Sequence, residues 1–150
     1  VRRIADNVRM AYNKLNVWKY SHQLTLKVYK ATETFPKNEL YGIVSQIRRA
    51  AYSVPSNIIE GKSRESDKEF KRFLVIARAS VDELSYFLLL SKDLKYLTSD
   101  QYLELSDNAS HIGAMLNNLI TKINRSLLTP SAVTETLSAD NGKRKAESTS

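Results

Sequence analysis

The sequence predicts an all-α protein, an antiparallel up-down-up-down four-helix bundle. Three observations lead there. Only four glycines and three prolines occur among 150 residues, so the turn-rich composition of a β fold is missing. Apolar residues recur at three- and four-residue spacings, while strand-like alternation is rare. The joints between the helical stretches are a few residues long, which forces antiparallel neighbours. The expected organisation is an extension over residues 1–15, the bundle over 16–128, and a polar tail over 129–150.

The first helix is expected from about Asn16 to Phe35, where Val17, Leu24, Val28, Ala31 and Phe35 form one stripe. Pro36 ends it, because the residue before a proline avoids the helical well. Asn38 is a suitable cap for the second helix. Its inner stripe is Leu40, Val44, Ile47, Ala51, Val54 and Ile58, and Gly61 suits a left-handed residue at its end. Pro55 lies inside this helix. It is expected either to kink the helix near Ala51 or to start a second segment capped by Ser53, with Asn57 meeting the freed backbone groups.

Ser66-Asp67-Lys68-Glu69 reads as a capping box opening the third helix. Phe70, Leu74, Ala77, Val81, Leu84 and Leu88 follow, widened by Phe73, Phe87, Leu90 and Leu94. Apolar residues on more than one side make this helix the most buried one, or one that touches a second subunit. Thr98-Ser99-Asp100-Gln101 is another capping box, with Leu97 and Tyr102 at staple positions. Leu105, Ile112, Leu116, Leu119, Ile123 and Leu127 carry the fourth helix to about Leu128. The Ser- and Thr-rich composition from Pro130 on reads as a disordered tail.

Chemistry is sparse. Cysteine is absent, which excludes disulfides, thiol catalysis and cysteine-ligated metals. No eighteen-residue apolar run exists, so no transmembrane helix is expected. A cytoplasmic protein is the resulting expectation. His22 and His111 are the only histidines, and no Glu-x-x-His accompanies them, so neither a metal nor another cofactor is expected. Asp82 and Glu83 point in different directions on a helix. No general acid–base pair can be assembled, and a non-enzymatic protein is expected.

The cations are more informative. The net charge is +7, with +6 over residues 1–37 and +4 over residues 45–78. Such a field suits nucleic acid or another polyanion. Arg48 and Arg49 flank the inner stripe of the second helix. Lys62 and Arg64 sit in the following joint, and Lys68, Lys71 and Arg72 open the third helix. These seven residues are the candidate phosphate contacts. The competing reading is that Glu60, Glu65, Asp67 and Glu69 neutralise them in local pairs, Glu60 with Arg48, Arg49 or Arg64. Tyr12, Trp18, Tyr20 and Tyr29 could stack on bases, but core packing explains them more cheaply. The tail run Gly142-Lys143-Arg144-Lys145 reads as solvated.

Ordered segments of the chain also carry a resemblance. They are Leu15-Asn16-Val17-Trp18, Phe35-Pro36, Tyr41-Gly42, Ser45-Gln46-Ile47-Arg48-Arg49-Ala50-Ala51, Val54-Pro55-Ser56-Asn57-Ile58, Glu60-Gly61 and Ser66-x-Lys68-Glu69-Phe70-x-Arg72-Phe73-Leu74. Together they resemble the bacterial four-helix-bundle family of 23S rRNA intervening-sequence proteins over roughly residues 14–125. That family is similar in fold to the accessory variability proteins of diversity-generating retroelements, which form barrel-like homopentamers and bind nucleic acid and a reverse transcriptase. The resemblance implies a homopentamer. The function expected is an oligomeric binder of nucleic acid, structured RNA foremost. The rival is a scaffold that recruits a protein partner such as a reverse transcriptase. No membrane partner is expected.

Overall fold

A computed structural model describes residues 15–128. The expectations for the extension and the polar tail otherwise fall outside this range. Four helices form the fold: α1 (Asn16–Thr32), α2 (Ser45–Lys62), α3 (Asp67–Asp93) and α4 (Ser99–Leu127). A 3-10 turn, Lys37–Glu39, and a wide π-type turn, Leu40–Val44, precede α2. No strand occurs among the described residues. Each helix packs on the next, and α1 packs on α4 to close the ring.

The expected stripes meet in one core. Ile47, Ile58, Leu74, Leu84, Leu88, Ile112, Leu116 and Val28 are fully buried at its centre. Leu40, Leu94 and Leu127, counted in the stripes, instead lie exposed near helix ends. Phe87 and Leu90 of α3 are partly buried against the core, while Val75, Ile76, Tyr86 and Leu89 are exposed on its outer side.

Several boundaries differ from the sequence expectation. The first helix ends at Thr32, not Phe35. The Thr32 hydroxyl lies within donating distance of the carbonyls of Val28 (2.9 Å) and Tyr29 (3.0 Å), and Phe35 stays buried beyond the helix end. Asn38 caps nothing. The Glu39 carboxylate accepts from the Ile43 amide at 3.2 Å instead. Gly42 then takes non-helical angles, φ −102° and ψ −118°, so α2 proper starts at Ser45.

Pro55 does not divide α2, and no second segment starts at Ser53. The helix is unbroken with a buried Pro55 inside it. Proline lacks the N–H that would reach the carbonyl of Ala51. The Thr25 hydroxyl of α1 stands 2.8 Å from the Ser21 oxygen and 3.1 Å from the Ala51 oxygen, so its one proton is shared between a carbonyl of its own helix and the one that Pro55 leaves free. Asn57, expected to meet the freed groups, donates to the Ser53 carbonyl (2.7 Å) and hydroxyl (3.0 Å).

Gly61 is not left-handed. No glycine among the described residues has a positive φ. Gly61 is buried within α2, and a Cβ there would come within 2.7 Å of Phe73 Cβ and 3.2 Å of the Phe70 carbonyl. It is small so that α2 and α3 can cross closely. The left-handed residue is Lys95, φ 64°, after α3. The Lys95 amide donates to the Lys92 carbonyl and the Tyr96 amide to the Ser91 carbonyl, both at 2.9 Å, which is the Schellman pattern.

The two caps divide as well. Thr98 and Gln101 form the complete box, at 3.1 and 2.9 Å. Ser66 accepts from the Glu69 amide at 3.2 Å, but the Glu69 carboxylate turns to Arg72 Nε at 2.9 Å and leaves the box half made.

Candidate nucleic-acid interface

The joint between α2 and α3 exists because Gly61 lets the helices approach and Ser66 restarts the chain as a helix. Residues 63–66 connect them. Lys62, Arg64, Lys68, Lys71 and Arg72 are gathered around this joint. Arg64 pairs with Glu60, and Arg72 with Glu69. Both guanidinium groups also lie over the Phe73 ring, at 4.9 and 4.5 Å from its centroid. The Lys62 ammonium lies 5.5 Å from the Phe70 centroid. Asp67 accepts a hydrogen bond from the Ser126 hydroxyl at 2.9 Å. No ion pair forms at Lys62, Lys68 or Lys71 among the described residues.

Local neutralisation is therefore half right. The two arginines are compensated and lie over an aromatic ring. The three lysines keep their charge for solvent or for an anion. Surface pairs such as Arg64–Glu60 are worth only about 0–1 kcal/mol, so an incoming phosphate can compete for those arginines.

The other two candidates stand elsewhere. Thirteen residues of helix separate Arg49 from Lys62, roughly 20 Å at the helical rise. Arg49 pairs with Glu83 of α3 at 2.5 Å and is an interhelical link. Arg48 faces α1. Its Nε donates to Thr32 Oγ1 at 2.8 Å, Nη2 donates to the Tyr29 carbonyl at 3.4 Å, and the guanidinium lies 4.6 Å from the Tyr29 centroid. The seven residues thus divide into a cluster of five at the joint and two remote arginines with separate partners.

Arg48 lines a cleft of about 250 Å³ with Thr32, Glu33, Phe35, Pro36, Lys37, Leu40 and Val44. Sequence reasoning missed this cleft, because its walls come from a helix end, a turn and a second helix. The exposed Tyr41, next in sequence to Leu40 of its wall, was the available signal.

The histidines form no joint site. His22 stacks on Trp18, centroids 5.2 Å apart and planes 4° apart, and His111 meets Tyr20 edge-on at 5.5 Å. No cluster of three metal-ligating side chains occurs among the described residues. No helix there is long and apolar enough to cross a membrane. Partial burial, followed by the charge and hydrogen bond of Glu39, holds the Tyr96 hydroxyl above its usual range. That hydroxyl donates to Glu39 Oε1 at 3.2 Å and ties the end of α3 to the turn before α2.

Comparison with protein-family models matches residues 13–118 to the 23S rRNA-intervening sequence protein family. Among solved structures, the chain is similar to a protein of unknown function from the S23 ribosomal protein family of Bacteroides thetaiotaomicron VPI-5482. The two are 25% identical with a TM-score of 0.63, and the match covers 69% of this chain and 97% of the other. No curated protein matches.

Proposed function

This chain belongs to the 23S rRNA-intervening sequence protein family, and on that premise we propose a non-enzymatic, oligomeric protein that binds structured RNA. The observation that carries the reading is the α2–α3 joint. Lys62, Lys68 and Lys71 are uncompensated there, and Arg64 and Arg72 lie over Phe73. Point charges and oriented guanidinium forks grip phosphate oxygens without reading sequence. A filter-binding titration with 23S rRNA stem-loops and duplex DNA tests this. Affinity should fall steeply between about 50 and 200 mM salt. Lys68→Ala with Lys71→Ala should reduce the salt slope by about one per lysine. No binding at low salt, or affinity indifferent to salt, defeats the reading.

The outer side of α3 supports self-association. Val75 (49% exposed), Ile76 (39%), Tyr86 (58%) and Leu89 (41%) line roughly 20 Å of that helix. This surface would form the seam of the homopentamer that the resemblance implies, since such rows mark interaction sites. Light scattering at micromolar concentration should give an oligomer, and a monomer refutes the seam. The same surface favours a second reading, a scaffold for a protein partner. A stoichiometric partner retained after nuclease treatment selects the scaffold over RNA binding.

A further inference from the structure

We infer that the cleft between α1 and the start of α2 seats one unpaired nucleotide of an RNA strand, its phosphate on Arg48 and Lys37 and its base against Tyr41. This rests on the RNA-binding reading and adds to it a second contact of different chemistry. The cleft lies at the opposite end of α2 from the joint, so the two sites are separate on the molecule.

Three observations converge. First, Arg48 is half-buried, and all its polar contacts are to neutral acceptors, Thr32 Oγ1 at 2.8 Å and the Tyr29 carbonyl at 3.4 Å. Among the described residues Arg49, Arg64, Arg72 and Arg78 each pair with a carboxylate, whereas Arg48 and Arg125 do not, and of these two only Arg48 lines this cleft. Glu33 lines the same cleft but is not within ion-pair distance. The guanidinium is thus oriented by α1 and still lacks a counter-charge, which Lys37 on the same rim accentuates. An anion is its missing partner.

Second, Phe35, Pro36, Leu40 and Val44 supply apolar walls. At about 250 Å³ the cleft falls just under the ~300–1,000 Å³ of drug-sized pockets. That is room for one nucleotide rather than a strand. Third, Tyr41 follows Leu40 on the wide turn and is 92% exposed. Gly42, with its non-helical angles, sets that turn apart from α2. An exposed ring one residue along from a wall of a cation-lined cleft offers the kind of face on which unstacked bases lie. A duplex offers no free base face, so the site selects single strands.

Fluorescence anisotropy with two labelled probes tests the assignment: single-stranded oligouridylate and a blunt RNA hairpin. The variants are Tyr41→Ala, Arg48→Gln and the joint pair Lys68→Ala/Lys71→Ala. Tyr41→Ala removes an exposed side chain, so circular dichroism should show an intact fold. It should weaken oligouridylate binding about five- to one-hundred-fold, the loss carried by one stacked base. Hairpin affinity should stay unchanged. Arg48→Gln should do the same, while the joint pair weakens both probes. Equal losses on both probes with Tyr41→Ala, or none on the single strand, overturn the cleft and leave the joint standing. A Tyr41→Ala change in mass by light scattering identifies the turn as a subunit contact and also overturns it. Binding of neither probe by the wild-type chain overturns the RNA reading itself.

Discussion

One substitution made at two glycines should have opposite effects. At Gly61 an added methyl comes within 2.7 Å of Phe73 Cβ, 3.0 Å of Phe70 Cδ2 and 3.2 Å of the Phe70 carbonyl. A Cβ and a backbone oxygen cannot step aside alone, so α2 and α3 must part. Overpacking of this kind costs about 1–3 kcal/mol. Alanine returns about 0.8–1.0 kcal/mol of helix propensity. The net for Gly61→Ala is a loss of about 1–2 kcal/mol, towards the upper part of that balance because two of the three contacts are rigid. At Gly113 the methyl would meet Arg78 Cζ at 3.5 Å and Val81 Cγ1 at 3.6 Å, ordinary contact distances. Propensity and the buried methyl then add, and Gly113→Ala should gain about 1 kcal/mol. Thermal melts followed by circular dichroism measure both. At about 4 °C per kcal/mol for a chain of this size, Gly61→Ala should melt well below wild type and Gly113→Ala above it. A Gly61→Ala protein as stable as wild type would refute the close crossing.

Other expectations follow from single contacts. Thr25→Val removes the donor that meets the Ala51 carbonyl and should cost about 1–3 kcal/mol. In a Pro55→Ala background the helix supplies its own N–H, so the same change should cost less, and a double-mutant cycle in chemical denaturation reads the difference. Lys95→Gly should raise the melting temperature, because glycine accepts the φ of 64° freely at a relief on the order of 1 kcal/mol. Tyr96 is more acidic unfolded than folded, so its contribution to stability is full below the ordinary tyrosine value of 10.0 and is lost as pH rises beyond it. An ultraviolet titration should show Glu39→Gln lowering the Tyr96 transition; no movement would rule out the Glu39 contact.

The bundle was legible in the sequence because a 3.6-residue stripe is local information. Val28, Ile58, Leu74 and Leu116 sit in the core that their spacing predicts. The Thr98–Gln101 box was legible for the same reason, since both partners lie within one turn. What escaped was tertiary. Pro55 looks like a break when the chain is read alone, because its remedy, Thr25, stands on another helix. Gly61 looks like a turn residue because the Phe73 it accommodates is equally remote. The seven cations looked like one surface, yet helical rise separates Arg48 and Arg49 from the joint. Their individual partners, Tyr29 and Glu83, come from different neighbours. Glu60 did pair locally with Arg64, four residues away.

An even number of antiparallel helices returns the chain to the end where it began. The Ser126–Asp67 hydrogen bond places the close of α4 beside the start of α3, and the start of α1 shares that end. The start of α1 and the close of α4 therefore stand beside the lysines of the α2–α3 joint. A bulky label placed at Asn16 or Leu127 would shadow that joint and leave the Tyr41 turn facing solution. The two surfaces can thus be separated by the position of a label, with both sets of contact residues unchanged.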